Sequence, residues 1–163
     1  MKRQKTYIYV IILFLVHLPF SLKAQTETDC SFKEIINSKQ YKIEVNYAHP
    51  QSGRLIYLTS LYSLTIKNDS IDSYLPFFGR AYSIPYGGGD GLRFKSKIKT
   101  YEIEKEKKKE LRIRVETVTP EDSYTFFITV YENKSADINV VMNNRSSIRF
   151  RGRLEEINNP TEE

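Results

Sequence analysis

Between Tyr74 and Gly91 the chain reads YLPFFGRAYSIPYGGGDG, and the chemistry available there is recognition rather than bond-breaking. Tyr74, Phe77, Phe78, Tyr82 and Tyr86 place five aromatic rings in thirteen residues, with Arg80 among them and Pro76 and Pro85 stiffening the backbone. Rigid rings offer contact area at low entropic cost, and a guanidinium can stack on a ring or fork onto a carboxylate. These six side chains therefore form a candidate ligand-facing loop. The same residues admit a packing role, in which Leu75, Phe77 or Phe78, and Tyr82 plug one end of a β-barrel and Arg80 caps carbonyls or pairs with an acid at the core edge.

Other chemistry is thin. Gly87-Gly88-Gly89-Asp90-Gly91 lacks the lysine and the hydroxyl at set spacing before a helix that a phosphate-binding loop needs. A calcium site takes six to eight oxygens, and no other acids cluster near Asp90. The glycines instead suit a hairpin connection that needs positive φ. Cys30 and His49 would make the one thiol and imidazole pair outside the first 24 residues, and Cys30 is poorly placed for a preorganised nucleophile. A lone cysteine allows no internal disulfide, and with so few histidines a zinc site of the usual kind is not expected. No spacing singles out a carboxylate pair. The expectation is a protein without catalytic residues, metal or cofactor.

The first residues set the compartment. Lys2, Arg3 and Lys5 precede an apolar run from Tyr7 to Phe20, and Ser21-Leu22-Lys23-Ala24 leads into Gln25. This is the three-part layout of a secretory signal peptide, with cleavage expected after Ala24 and a periplasmic or secreted product. The run is shorter than the roughly 20 residues a spanning helix needs, so no transmembrane span is expected after signal removal. Lys2, Arg3, Lys5 and Lys23 would leave with the signal, reducing 25 basic residues to 21 against 20 acidic ones. A near-neutral domain lacks the electrostatic footprint of a nucleic-acid binder. The remaining residues, 25–163, suffice for a single β domain with one core, ending in a polar tail from about residue 155.

The elements that must position the loop follow from periodicity. Phe32, Ile35 and Ile36 share one face of a short helix capped by Asp29 or Ser31. From Tyr41 the period becomes two: Tyr41, Ile43, Val45 and Tyr47 alternate with polar residues, and Ala48 to Gly53 reads as a turn. Arg54 to Lys67 and Ile71 to Leu75 form a hairpin around Asn68-Asp69-Ser70. Gly91 to Lys95 opens another strand, and Ile98, Tyr101 and Ile103, out of strict register, predict a bulge. Lys105 to Glu110 reads as a solvated hairpin tip. Three further alternating runs, Leu111 to Val115, Tyr124 to Val130 and Ala136 to Met142, precede a last one from Ile148 to Leu154. About eight strands with short turns make an all-β antiparallel meander. A lipocalin-like barrel, complete or incomplete, with the helix near one mouth is favoured because closure removes exposed edges, and a two-sheet β-sandwich is the alternative.

Leu75-Pro76-Phe77-Phe78-Gly79-Arg80-Ala81-Tyr82, followed by Pro85-Tyr86 and Gly91-Leu92-Arg93-Phe94, resembles the signature of the bacterial family catalogued as domain of unknown function 4251. Tyr62-Ser63-Leu64, Asn68-Asp69-Ser70 and Ile148 to Leu154 are similar to that family's flanking segments in the same order. The resemblance implies an exported Bacteroidetes protein with a single all-β domain and no assigned activity. It carries over no functional residues.

Two functions of different class are compatible with these features. One is a non-enzymatic binding module holding a small apolar or amphipathic ligand at the barrel mouth near Phe78, Arg80 and Tyr82. The other is a structural or interaction protein of the envelope that docks on a partner protein through a strand edge or an arginine face. Arg112, Arg114, Arg149, Arg151 and Arg153 alternate on their strands and would form a basic stripe if those strands were neighbours. Neutralisation by Glu102, Glu104, Glu116 and Asp137 is the favoured expectation, since opposite charges across strands are ordinary on solvated sheets.

Overall fold

The structure, a computed structural model, describes residues 31–83 and 91–157. The expected signal segment, Cys30, Pro85, Tyr86, the glycines at 87–89 with Asp90, and the tail beyond residue 157 lie outside the described residues. Helix α1 (Phe32–Asn37) is followed by eight strands: β1 (Gln40–Pro50), β2 (Ile56–Lys67), β3 (Ser70–Leu75), β4 (Leu92–Lys107), β5 (Glu110–Val118), β6 (Ser123–Tyr131), β7 (Ser135–Met142) and β8 (Ile148–Glu156). They form a closed antiparallel barrel in sequence order. Pairing of β1 with β8, from Tyr41 opposite Glu156 to Pro50 opposite Ile148, completes the ring and excludes the sandwich.

Period-two alternation produces this wall because each strand turns one face inward. Along β5, β6 and β7 every second residue is buried with no interruption until the strand ends. The interior is filled by side chains, with Tyr41, Phe126 and Phe150 the largest of those fully buried, packed among Ile43, Leu64 and Ile113. Gly152 stands where β8 meets β1, and a Cβ there would come within 1.9 Å of the Glu44 carbonyl oxygen. Close approach of the two backbones thus dictates the glycine.

Three local features refine the pattern. β1 runs on to Pro50 instead of turning at Ala48, because a register shift between Val45 and Tyr47 restores its pairing with β8. Opposite that shift, Val45 pairs with Tyr62 and Tyr47 with Tyr57, so Leu58 to Leu61 of β2 face the single Asn46. The bulge turns Leu61 outward, 86 % exposed, while Leu58 is buried. In β4 the expected irregularity appears as shifts between Ile98 and Thr100 and between Ile103 and Lys105. The charge run becomes the β4–β5 hairpin tip, where Lys107 pairs with Glu110.

The two ends of the barrel are built differently. Helix α1 covers one end with Phe32, Ile35 and Ile36 buried, and the Glu34 carboxylate accepts a hydrogen bond from the Ser31 amide at 3.1 Å. Beneath the helix the Tyr101 hydroxyl donates to the Ile36 carbonyl at 3.3 Å and lies 3.2 Å from the Tyr41 hydroxyl. Since Tyr101 spends its proton on the helix, Tyr41 donates to Tyr101. Burial, reinforced by the neighbouring phenol, pushes the Tyr41 hydroxyl well above the usual tyrosine range, and burial likewise raises Tyr101. The opposite end carries the β1–β2, β3–β4, β5–β6 and β7–β8 connections, and with them the aromatic loop.

Candidate functional site at the barrel mouth

The loop leaves β3 at Leu75, which is fully buried, and Pro76 is buried behind it. Phe77 is half-buried against the core, and the Arg145 guanidinium lies 5.4 Å from the centre of its ring. Arg145 is itself buried and donates from Nη1 to the Gly91 carbonyl at 2.7 Å. Leu75 and Phe77 therefore close this end of the barrel. Phe78, Arg80 and Tyr82 are directed away from it, and Tyr82 is 69 % exposed.

Backbone contacts with the β7–β8 connection hold residues 79–83 in that pose. The Arg80 amide donates to Ser146 Oγ at 3.1 Å and the Ser146 amide to the Arg80 carbonyl at 2.9 Å. Ala81 bridges to Arg145, and the Tyr82 amide donates to the Asn144 carbonyl at 2.8 Å. Gly79 permits this approach, since a Cβ there would fall 2.5 Å from Ser146 Oγ and 2.8 Å from the Phe77 ring. The β7–β8 connection is fixed in turn by buried Asp122, whose carboxylate accepts from the amides of Ser123 (2.8 Å), Asn143 (3.0 Å) and Asn144 (3.1 Å). A carboxylate taking several backbone N–H bonds makes a strong, charge-assisted anchor. A buried acid thus indirectly orients exposed rings.

Across from this segment lies the β1–β2 connection, and the two enclose a groove of about 660 Å³. Phe78, Arg80 and Tyr82 line one side, Arg54 and Ile56 the other, and Ser146 part of the floor. Neither the Arg54 nor the Arg80 guanidinium has an ion-pair partner among the described residues. Two arginines, two rings and an aliphatic side chain around one groove can hold an amphipathic molecule with an anionic head. The volume falls within the range of small-molecule sites.

The structure divides the six residues singled out in sequence. Phe78, Arg80 and Tyr82 share the groove, and Phe77 packs beneath it. Tyr74 instead sits on the outer face of β3, stacked on Tyr62 at 5.6 Å with Arg93 4.6 Å over its ring. Tyr86 is outside the described residues. Arg54 and Ile56 are additions that sequence reasoning missed, because nothing local marks a turn and strand start as the far wall of a groove.

The arginines of β5 and β8 meet the acids expected of them in part. Arg114 is flanked by Glu102 (2.6 Å), Glu116 (3.2 Å) and Glu104 (3.5 Å), and Arg151 pairs with Asp137 at 3.0 Å. Arg149 and Arg153 have no ion pair among the described residues. A broad depression of about 800 Å³ on this outer wall includes exposed His49 beside Arg149 and Phe127. Among the described residues no three of His, Cys, Asp or Glu are grouped to hold a metal ion, and no helix is long and apolar enough to cross a membrane.

Comparison with known proteins agrees with the architecture. The crystal structure of a DUF4251 family protein from Bacteroides eggerthii DSM 20697 superposes with a TM-score of 0.59 at 15 % identity. The match covers 76 % of this chain and 84 % of that one, and at such identity it speaks to the fold alone. No curated protein matches. The family model for the domain of unknown function DUF4251 matches residues 23–154. By that match, nearly the length of the barrel, the chain belongs to the DUF4251 family.

Proposed function

We propose that this protein is an exported, periplasmic binding module without catalytic activity, which holds a small amphipathic molecule with an anionic head in the groove between residues 78–82 and the β1–β2 connection. The observation that carries the reading is the exposure of Phe78, Arg80 and Tyr82 on a segment held from behind by Ser146, Asn144 and Asp122. Rings left outward on a fixed backbone are preorganised for contact, which lowers the ordering cost of binding. The barrel interior is occupied by its own side chains, so the ligand would sit at the mouth.

Magnitudes assign the parts. An exposed arginine–carboxylate pair contributes only about 0.2–1 kcal/mol, so each guanidinium supplies orientation and up to roughly a five-fold gain in affinity. The rings must supply most of the remainder through buried apolar area, at ~25 cal/mol per Å².

Titration with dodecanoate, followed by tyrosine fluorescence, tests the idea, with dodecanol as the uncharged control. Saturable binding of dodecanoate is expected, weakened about five-fold by Arg80→Ala and more strongly by Tyr82→Ala, with unchanged thermal stability in both variants. Full affinity in a folded variant carrying both substitutions would remove the groove from consideration. Native mass spectrometry of protein purified from its own periplasm would identify any resident molecule and test export at the same time.

A further inference from the structure

A second face of the barrel carries a row of cations without ion pairs among the described residues. Along β4 the outward positions are Arg93, Lys95, Lys97 and Lys99, all exposed, and Lys67 stands on the same outer wall at the end of β2. None of these five has an acidic partner among the described residues. The acids bordering the row are Asp72, opposite Lys95, and Asp69 in the β2–β3 turn. On the other side β5 offers Val118 instead of an acid, and Glu116 is taken by Arg114.

Register brings these cations together around a hollow. Lys42, Thr65, Asp72 and Lys95 follow one another across β1, β2, β3 and β4, and Lys67, Ser70 and Lys97 form the neighbouring row. A depression of about 300 Å³ opens between them, lined by Lys42, Lys67, Asp72 and Lys95 with Thr65, Ser70 and Ile157. Lys42 is paired with the Glu44 and Glu155 carboxylates, which leaves Lys67 and Lys95 as the cations of the hollow without an ion pair among the described residues. At the mouth end of the same face Arg93 is stacked on the ring of Tyr74, and Tyr74 stacks on Tyr62. Cations, hydroxyls and an aromatic platform thus share one surface.

From this arrangement we propose that the outer face of β2, β3 and β4 binds a linear acidic polysaccharide, one of whose carboxylate or sulfate groups sits in the hollow between Lys67 and Lys95. The shape of the charge selects this partner. Alternate residues on a strand lie roughly 6.8 Å apart, so four cations on β4 mark out a line of about 20 Å along a convex wall. A flexible polyanion can follow such a line, whereas a bilayer plane meets a convex wall along a narrow strip and is held by apolar groups entering it. The exposed rings of this face are engaged, Tyr74 between Tyr62 and Arg93 and Tyr57 against Tyr47, and Leu61 of β2 is the exposed aliphatic side chain beside them. This surface is separate from the mouth groove, and neither reading depends on the other.

The test is binding of the full chain to a labelled oligogalacturonate by fluorescence anisotropy over a range of salt concentrations. Neutral galacto-oligosaccharide, poly-L-glutamate and phosphatidylglycerol vesicles serve as competitors. Galacturonate should bind best, and log affinity should fall linearly with log salt. The variant K67Q/K95Q/K97Q should fold normally, weaken binding about ten-fold or more, and flatten the salt slope by roughly 2, at ~0.7 per lost contact. R149E removes an unpaired arginine from the opposite wall and should change nothing. Absence of binding, tighter binding to vesicles or to polyglutamate, or an equal loss in R149E would each overturn the proposal.

Discussion

The two ends of this barrel solve the same problem with different materials. At the helix end, Phe32, Ile35 and Ile36 bury apolar surface over the interior, with a phenol pair beneath them and an exposed Lys33–Glu106 ion pair at 2.6 Å beside them. At the mouth, Leu75 and Phe77 close the interior, but the segments above them are joined by hydrogen bonds accepted by the Asp122 carboxylate, the Asn144 carbonyl and Ser146 Oγ and donated by the Arg145 guanidinium. Apolar burial is non-directional, so it can seal an end but cannot aim side chains. Directional hydrogen bonds can leave Phe78 and Tyr82 facing solvent on a fixed backbone. The difference teaches where to expect stability and where to expect recognition.

Perturbing each end separately should break this contrast or sharpen it. The largest effect is expected from Ile36→Ala, which leaves a cavity under the helix and should cost about 2–5 kcal/mol in chemical denaturation, with ligand affinity at the mouth unchanged. Asp122→Ala should cost less, about 1.5–3 kcal/mol for the loss of hydrogen bonds to a charged group, yet reduce affinity by freeing the β7–β8 connection. If Asp122→Ala left affinity intact, the mouth loops would be held by other means and the contrast between the ends would fail.

The smallest effect concerns the phenol pair and appears only at alkaline pH. Burial keeps Tyr41 and Tyr101 protonated in the folded barrel, with both groups raised above the ordinary tyrosine value. Below about pH 10 these hydroxyls are neutral in folded and unfolded chains alike, and their contribution is fully present. As pH rises past that value the unfolded chain ionises first, so stability falls until the folded hydroxyls titrate as well. Tyr41→Phe should therefore lose about 1 kcal/mol at neutral pH and show a shallower decline above pH 10, measured by circular dichroism with tyrosinate absorbance alongside.

Much of the wall was legible because alternation is a local property. Tyr41, Ile43 and Val45, or Tyr124, Phe126 and Ile128, declare which face they bury without reference to any other strand. Even the β4 irregularity showed as broken alternation around Ile98, Tyr101 and Ile103. The choice of barrel over sandwich was not local: it rests on Ile43 meeting Leu154, which no single segment encodes. The same limit divided the site. Phe78, Arg80 and Tyr82 could be named from composition, whereas Arg54 and Ile56 join them through tertiary placement alone. Tyr74 belonged to the alternation of β3 and so faced the outer wall rather than the groove. The basic row was in plain view as Arg93, Lys95, Lys97 and Lys99 at every second position, but an exposed lysine on a strand looks ordinary until its neighbours are known to bring so few acids.

Closure of the ring also governs how quickly the molecule can form. Seven of its eight strand pairings join successive strands, and the β1–β8 seam alone joins residues about a hundred positions apart, from Pro50 with Ile148 to Tyr41 with Glu156. Hairpins form in about 1–10 μs, while loop-closure entropy must be met before distant contacts repay it. The rate of reaching the native state thus rests on one late encounter at a place where Gly152 lets two backbones touch. A meander with its seam unmade would present two bare edges to any neighbour, so the interval before closure is when this chain is most exposed to aggregation.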